Sequence, residues 1–160
     1  MRKITLLVAF VAAALFVAAP AFAGTLDDIK ARGHLKCGVA QQLIGFAFAD
    51  NQGNFSGFDV DYCRGLAAAI GVDVRFSALT AKERFPALQT GEVDVLYRNT
   101  TWTMSRDTEL GFDFLGVNFY DGQGFMVRKA SGIKSAKELN GATVCVNTGT
   151  TTELNLADYF

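Results

Sequence analysis

Stretches in which apolar and polar residues alternate are interleaved with stretches whose apolar residues recur at helical spacing. Alternation predicts strands over residues 34–40 and 72–79, and an apolar run predicts a third strand over 93–97. Helical spacing predicts helices over 25–33 and 58–71, each of which ends in a glycine. Because strands and helices follow one another in turn, this part of the chain is predicted to be an α/β unit with a mostly parallel sheet.

Two residues give further detail on the start and length of the predicted helices. Thr25 stands where a capping hydroxyl is expected at the start of the first helix. A third helix is predicted over 80–91, but Pro86 should confine it to short pieces because proline has no backbone N–H to donate.

The pattern changes after Gly111. Residues 112–129 are aromatic and strand-like, 135–141 predict a short helix capped by Ser135, and 142–146 predict a strand before the start of another helix. This second α/β unit contains too few elements to close a sheet. We therefore expect the chain to be the front part of a longer two-lobed protein.

Residues 1–23 have the pattern of a signal peptide. Arg2 and Lys3 precede an apolar stretch, and small residues follow it up to Ala23, after which cleavage is expected. A membrane anchor is the alternative, although the apolar run is at the short end for a span. We therefore expect an exported protein, located in the periplasm if the cell is Gram-negative.

Composition and charge narrow the classes of function. The chain is 50% hydrophobic and 19% charged, which is globular composition. Removal of Arg2 and Lys3 would take the formal net charge from −1 to about −3. No basic patch argues for nucleic acid, and no second apolar span argues for a membrane domain.

Three cysteines in an exported chain indicate oxidation chemistry. Cys37 and Cys63 could form one disulfide, or both could be buried free thiols, and Cys145 would be left over. His34 is the only histidine, and no metal-ligand spacing occurs. We expect neither a metal nor another cofactor.

Two polar loops follow predicted strands at equivalent places. The first polar loop, residues 99–107 ("NTTWTMSRD"), follows the strand 93–97, and the second polar loop, residues 147–153 ("NTGTTTE"), follows the strand 142–146. Ligands of open α/β sheets bind outside the carboxyl ends of strands, where hydroxyls, backbone N–H groups and the Arg106 guanidinium could hold a carboxylate. The alternative is that these hydroxyls only cap helices.

Several motifs resemble one family. Residues 57–71 ("GFDVDYCRGLAAAIG"), 84–95 ("RFPALQTGEVDV") and 99–120 are similar to the signatures of the extracytoplasmic solute-binding proteins of polar amino-acid ABC transporters, most of all the general L-amino-acid branch. The resemblance implies a bilobed α/β periplasmic-binding-protein fold. Lobe one would span 24–120 and an incomplete lobe two 121–160, with a hinge near the boundary.

The resemblance also implies a ligand site. Asn99 and Thr101 would hold the ligand α-carboxylate, and Arg106 would clamp it. The same ligand would be capped from lobe two by three threonines, Thr150, Thr151 and Thr152. The acid that takes the α-amino group would lie beyond residue 160, and in that branch Cys145 would pair with a cysteine there.

Residues 38–46 ("GVAQQLIGF") depart from the pattern of narrow-specificity members, because they lack the acid and the aromatic of the loop after the first strand. We therefore expect broad specificity, since apolar pockets discriminate weakly. Gln41, Gln42 and Trp102 are candidates for the cleft wall.

The resemblance implies a monomer that binds L-amino acids and delivers them to an ABC transporter permease. The alternatives are the ligand-sensing domain of a membrane receptor or an enzyme of the same fold. An enzyme is not expected, because His34 lies away from both polar loops and no nucleophile stands beside a base.

Overall fold

The computed structural model describes residues 24–160, so the predicted signal peptide lies outside the described residues. This described part contains four α-helices: α1 (Thr25–Arg32), α2 (Phe58–Ile70), α3 (Arg84–Gln89) and α4 (Thr151–Tyr159). It contains six strands: β1 (His34–Ala40), β2 (Gln42–Leu43), β3 (Ala47–Ala49), β4 (Phe55–Ser56), β5 (Asp73–Leu79) and β6 (Val95–Leu96). A π-helical turn (Ser105–Glu109) and two 3-10 turns (Lys129–Ser131 and Ala136–Leu139) complete the structure.

The main sheet is parallel and has β1 at its centre. Its strand order is β5–β1–β6, and Cys37 of β1 is in register with Phe76 on one side and Val95 on the other. The prediction of a parallel α/β unit is confirmed, although the third strand is reduced to two residues. After β1 the chain enters a small antiparallel sheet of order β2–β3–β4.

The core lies between the main sheet and α2. Cys37 and Val39 of β1 pack with Val60 and Cys63 of α2, and all four are fully buried. The Cys37 and Cys63 side chains form a disulfide with their Cα atoms 6.2 Å apart. The bridge fastens the central strand to the helix that covers it.

Glycines end the first two helices as predicted. Gly33 and Gly71 adopt φ values of 75° and 84°, and their N–H groups donate to carbonyls of the preceding turn. The prediction that Thr25 caps α1 is wrong, because the N-cap is Gly24 and Thr25 is the first helical residue. The helix around Pro86 is short, as expected, with only six residues.

Gly57 precedes α2 and lies against the backbone of the antiparallel sheet. Its φ is 126°, and a Cβ atom at this position would lie 2.4 Å from the Phe46 carbonyl oxygen. The Asp59 N–H donates to the same carbonyl at 2.9 Å. A glycine is therefore needed for α2 to begin this close to the turn that connects β2 and β3.

The second half of the chain is less regular than predicted. The strand predictions over 112–129 and 142–146 are wrong, because neither segment forms a strand or joins either described sheet through backbone hydrogen bonds. Two cap positions have the expected geometry. The Ser135 hydroxyl accepts from Lys137 N–H, and the Thr150 hydroxyl accepts from Glu153 N–H at the start of α4.

Within residues 24–160 no helix is both long and apolar enough to cross a membrane.

Candidate functional site

A cavity of about 400 Å³ lies at the carboxyl ends of the three parallel strands. Gln41 and Gln42 follow β1, Thr80 follows β5, and Asn99 follows β6. Asn147 and Thr148 of the second polar loop close the opposite wall. Parallel strands deliver their polar carboxyl-terminal loops to one edge of a sheet, which is the usual position of a ligand in this architecture.

The charged residues that line the cavity are both cationic, Lys82 and Arg98. The remaining polar lining consists of side-chain amides and hydroxyls, which can donate and accept hydrogen bonds. The described wall contains no carboxylate. It is therefore suited to an anionic group that also has hydrogen-bonding neighbours.

Of the residues predicted from the sequence in the first polar loop, one lines this cavity. Asn99 lines it, whereas Thr101, Trp102 and Arg106 are absent from the described lining. Arg106 is only 6% exposed, and its Nη1 donates to the Thr101 carbonyl at 2.7 Å. Its guanidinium carbon lies 4.9 Å from the centre of the Phe85 ring, and burial lowers the pKa of Arg106. In this structure Arg106 braces the loop in which Thr101 lies.

Trp102 is directed toward its own segment. Its indole stacks on Phe114 with ring centres 5.1 Å apart, and Nε1 donates to an Asp107 carboxylate oxygen at 2.9 Å.

The threonines of the second polar loop lie close to the first loop. Thr151 Oγ1 and Thr101 Oγ1 are 3.1 Å apart, so one hydroxyl donates to the other. Thr150 is occupied as the cap of α4, and the Thr152 carbonyl accepts from Gln123 Nε2 at 3.1 Å. The structure thus brings the two polar loops together through Thr101 and Thr151.

Two arginines at this site were not singled out from the sequence. Arg84 in α3 is 2% exposed, and Arg98 lines the cavity with its Nη1 donating to the Leu79 carbonyl at 2.7 Å. Arg98 directly follows the strand 93–97, so the rule that selected Asn99 could also have found it. For Arg84 no such signal exists, because a charge on a helix is ordinarily solvated.

Asp59 at the start of α2 is a buried acid that is close enough to Arg98 to be affected by its charge. It is 3% exposed, and its Oδ2 has no hydrogen-bond partner. Burial raises the pKa of Asp59 to about 6, while the positive charge of Arg98 acts in the opposite direction. Burial also lowers the pKa of Arg98.

The cysteines and acids give no indication of a metal site. Cys37 and Cys63 are joined to each other, and Cys145 is exposed with a free thiol. Residues 24–160 contain no group of three or more His, Cys, Asp and Glu side chains that could hold an ion.

A comparison with protein-family models matches residues 35–158 to the bacterial extracellular solute-binding proteins, family 3. The chain belongs to this family. The match includes the main sheet apart from its first residue, His34, together with the disulfide and both polar loops. The α/β fold of the periplasmic binding proteins predicted from the sequence is confirmed.

Individual members of the family give the same result. The glutamate/glutamine/aspartate/asparagine-binding protein BztA of Rhodobacter capsulatus is 60% identical over 153 residues, which are 94% of this chain and 45% of the relative. The general L-amino acid-binding periplasmic protein AapJ of Rhizobium johnstonii is 60% identical over 146 residues, which are 89% of this chain and 43% of the relative. This family 3 chain therefore spans less than half the length of these two curated relatives.

A solved structure of an ABC transporter periplasmic binding protein from Brucella ovis with glutathione bound superimposes on this chain with a TM-score of 0.79. The two sequences are 60% identical, and the match covers 86% of this chain and 44% of the other. The family 3 fold described above therefore agrees with a solved structure over most of the chain.

Proposed function

We propose that this chain is the amino-acid-binding front part of an ABC transporter receptor. It would bind L-amino acids with broad specificity and deliver them to a membrane permease. The observation that carries this proposal is the 400 Å³ cavity at the strand ends, whose described wall is cationic and amide-rich. A free amino acid has an α-carboxylate that such a wall can bind, and the size of the cavity suits a small molecule.

The names of the relatives support this class of ligand. BztA is named for four amino acids, and AapJ is named for L-amino acids in general. The stretch 38–46, which gives Gln41 and Gln42 to the cavity wall, offers no acid to select a basic side chain. We therefore propose a broad set of ligands.

The proposed site has two sides. Asn99 and Thr101 would hold the α-carboxylate together with Arg106, and Thr150, Thr151 and Thr152 would approach from the second polar loop. Movement about residues near 120–124 would bring the sides together when a ligand favours the closed arrangement. In this proposal lobe one comprises residues 24–120 and lobe two begins at residue 121.

Location and partners follow from the same proposal. A protein of this family acts outside the cytoplasm, and we propose cleavage after Ala23 and a periplasmic location. The partners would be the amino acid and the permease, with no nucleic acid, no cofactor and no catalysis. We propose that the receptor acts as a monomer.

A thermal-shift panel with the twenty L-amino acids and several D-isomers tests the proposal. It should be run on residues 24–160 and on the product of the complete open reading frame. A ligand present at 100 times its Kd should stabilise the native state by about 2.7 kcal/mol. We expect shifts with many L-amino acids and few with D-isomers.

Two variants sharpen the panel. Arg106→Met keeps an apolar stem against Phe85 but removes the guanidinium, and it should abolish the shifts. Arg75→Met removes an exposed arginine of β5 and should leave them unchanged. A well-folded protein that gives no shift with any amino acid would overturn the proposed function.

A further inference from the structure

Arg84 is a buried cation that contacts both polar loops. Its Nη1 donates to the Asn99 carbonyl of the first loop at 2.8 Å, and its Nη2 donates to the Gly149 carbonyl of the second loop at 3.2 Å. These loops are 50 residues apart in sequence, as measured between Thr101 and Thr151. One planar guanidinium therefore joins the two halves of the chain beside the cavity.

The surroundings of Arg84 make it energetically unfavourable to bury a charge at this position for a purely structural purpose. Its side chain is 2% exposed, its Nε has no hydrogen-bond partner, and it has no ion-pair partner within residues 24–160. Burial and the nearby positive charges of Arg98 and Arg106 lower the pKa of Arg84 to about 9. A buried charge without a counterion is expensive, whereas an apolar side chain on α3 would bury without this cost.

Arg84 is also linked to the residue that braces the first loop. The guanidinium carbons of Arg84 and Arg106 lie 4.7 and 4.9 Å from the centre of the same Phe85 ring. Arg106 holds the Thr101 carbonyl and Arg84 holds the Asn99 carbonyl, so two cations on one aromatic ring fix this loop at two points.

The second polar loop closely approaches the chain just before α3, next to the carbonyl to which Arg84 donates. A Cβ atom added to Gly149 would lie 3.4 Å from Lys82 Cα, and the φ of Gly149 is 79°. The contact is therefore made backbone to backbone. The directional interaction at this position is the hydrogen bond from Arg84 to the Gly149 carbonyl.

We propose that Arg84 is a positioning residue that fixes the spacing of the two polar loops and thereby raises ligand affinity without touching the ligand. The effect on affinity rests on the proposed function. The effect on loop spacing is independent of it, because it concerns the chain alone.

Spacing is measured by pulsed electron paramagnetic resonance between spin labels on α3 and α4. Exposed Gln89 and Asp158 are replaced by cysteine in a Cys145→Ser background, and Cys37 and Cys63 remain in their disulfide. We expect one narrow distance distribution in the parent and a broader, longer one in Arg84→Met. Arg84→Lys retains the charge but not the two-pronged donor, so its distribution should be intermediate.

Affinity is measured on the same variants without labels, by calorimetric titration with L-glutamate and L-glutamine. Arg84→Met should raise Kd about tenfold, as expected for the loss of hydrogen bonds from a charged donor. Arg84→Lys should recover part of the affinity. The matched control, Arg75→Met, removes an exposed arginine of β5 and should change neither readout.

Two results would overturn the inference. One is an unchanged distance distribution in Arg84→Met, whatever happens to Kd, because weaker binding with intact spacing would mean that Arg84 contacts the ligand. The other is broadened spacing with unchanged Kd. If Arg84→Met does not fold, Arg84→Lys decides the question by the same two criteria. A parent protein that binds neither amino acid counts against the proposed function alone, since the distance measurement contains no ligand.

Discussion

At the scale of single residues, Asp59 shows how burial makes stability depend on pH. Its pKa is raised by burial from 3.8 to about 6, so the folded protein holds this proton more tightly than the unfolded chain does. The contribution of Asp59 to the free energy of unfolding should therefore decrease as the pH rises from about 4 to 6, and stay low above that range.

Asp59→Asn removes this titration with little change of shape. Relative to the parent, the variant should be more stable at pH 7, and the difference should shrink by up to about 3 kcal/mol as the pH is lowered to 4. Urea unfolding of both proteins across that range measures the difference. Stability curves that run parallel from pH 4 to 7 would contradict the assignment.

Residue identities predicted part of the cavity lining. Asn99, Gln41 and Gln42 line the cavity because they come soon after the ends of parallel strands, a relation that sequence order reveals. The position of Arg84 could not be predicted in this way. The role that we propose for it rests on a contact with Gly149, 65 residues away, which depends on how the second half of the chain folds back.

At the scale of elements, α2 provides a matched pair of glycine substitutions. Gly57→Ala places a Cβ 2.4 Å from the Phe46 carbonyl oxygen at a φ of 126°, and we expect it to destabilise the protein by about 3 kcal/mol. Gly65→Ala lies in the exposed middle of the same helix with nothing within 4 Å of the new Cβ. It should stabilise the protein by roughly 0.5 to 1 kcal/mol.

Denaturant unfolding of the two alanine variants distinguishes these effects. Equal changes in both would contradict the argument, because both substitutions add the same methyl group. Helix propensity alone predicts a gain at Gly65 and cannot explain a loss at Gly57. The φ of 126° at Gly57 and the close approach of α2 to the Phe46 backbone explain that loss.

The elements also show where pattern-based prediction holds. Strands β1 and β5 and helix α2 were predicted almost to the residue, because each has a repeated pattern that buries one side. The strands expected within 112–129 and 142–146 did not form. Alternating or aromatic composition favours a strand only where a neighbouring strand can accept its hydrogen bonds.

At the scale of the whole molecule, residues 111–128 have no helix or strand and connect the sheet-containing part of the chain to the part that contains α4. The side chains of Leu115, Tyr120 and Met126 are 79%, 87% and 99% exposed. We expect chymotrypsin to cut first between residues 115 and 126, because exposed chain without backbone hydrogen bonds is the preferred substrate of proteases. Mass spectrometry of early digests tests this, and a first cut within 34–96 would contradict it.

The predicted lobe boundary at 120/121 lies within this segment, and the digest bears on it directly. A cleavage product ending near that boundary should retain β1 to β6 and the disulfide. The sequence could suggest the boundary because its glycines and its change of pattern are local. It could not reveal that Thr101 and Thr151 would meet across it.

The disulfide between Cys37 and Cys63 has a consequence for the response of the protein to reductants. Both side chains are completely buried, between the central strand and the helix above it, whereas Cys145 is exposed. Thiol–disulfide exchange requires an attacking thiolate to reach a sulfur atom. A reductant that reaches Cys145 at once can reach the bridge only when α2 separates from β1. The lifetime of the bridge therefore depends on how often the core opens, in addition to the concentration of thiols around the protein.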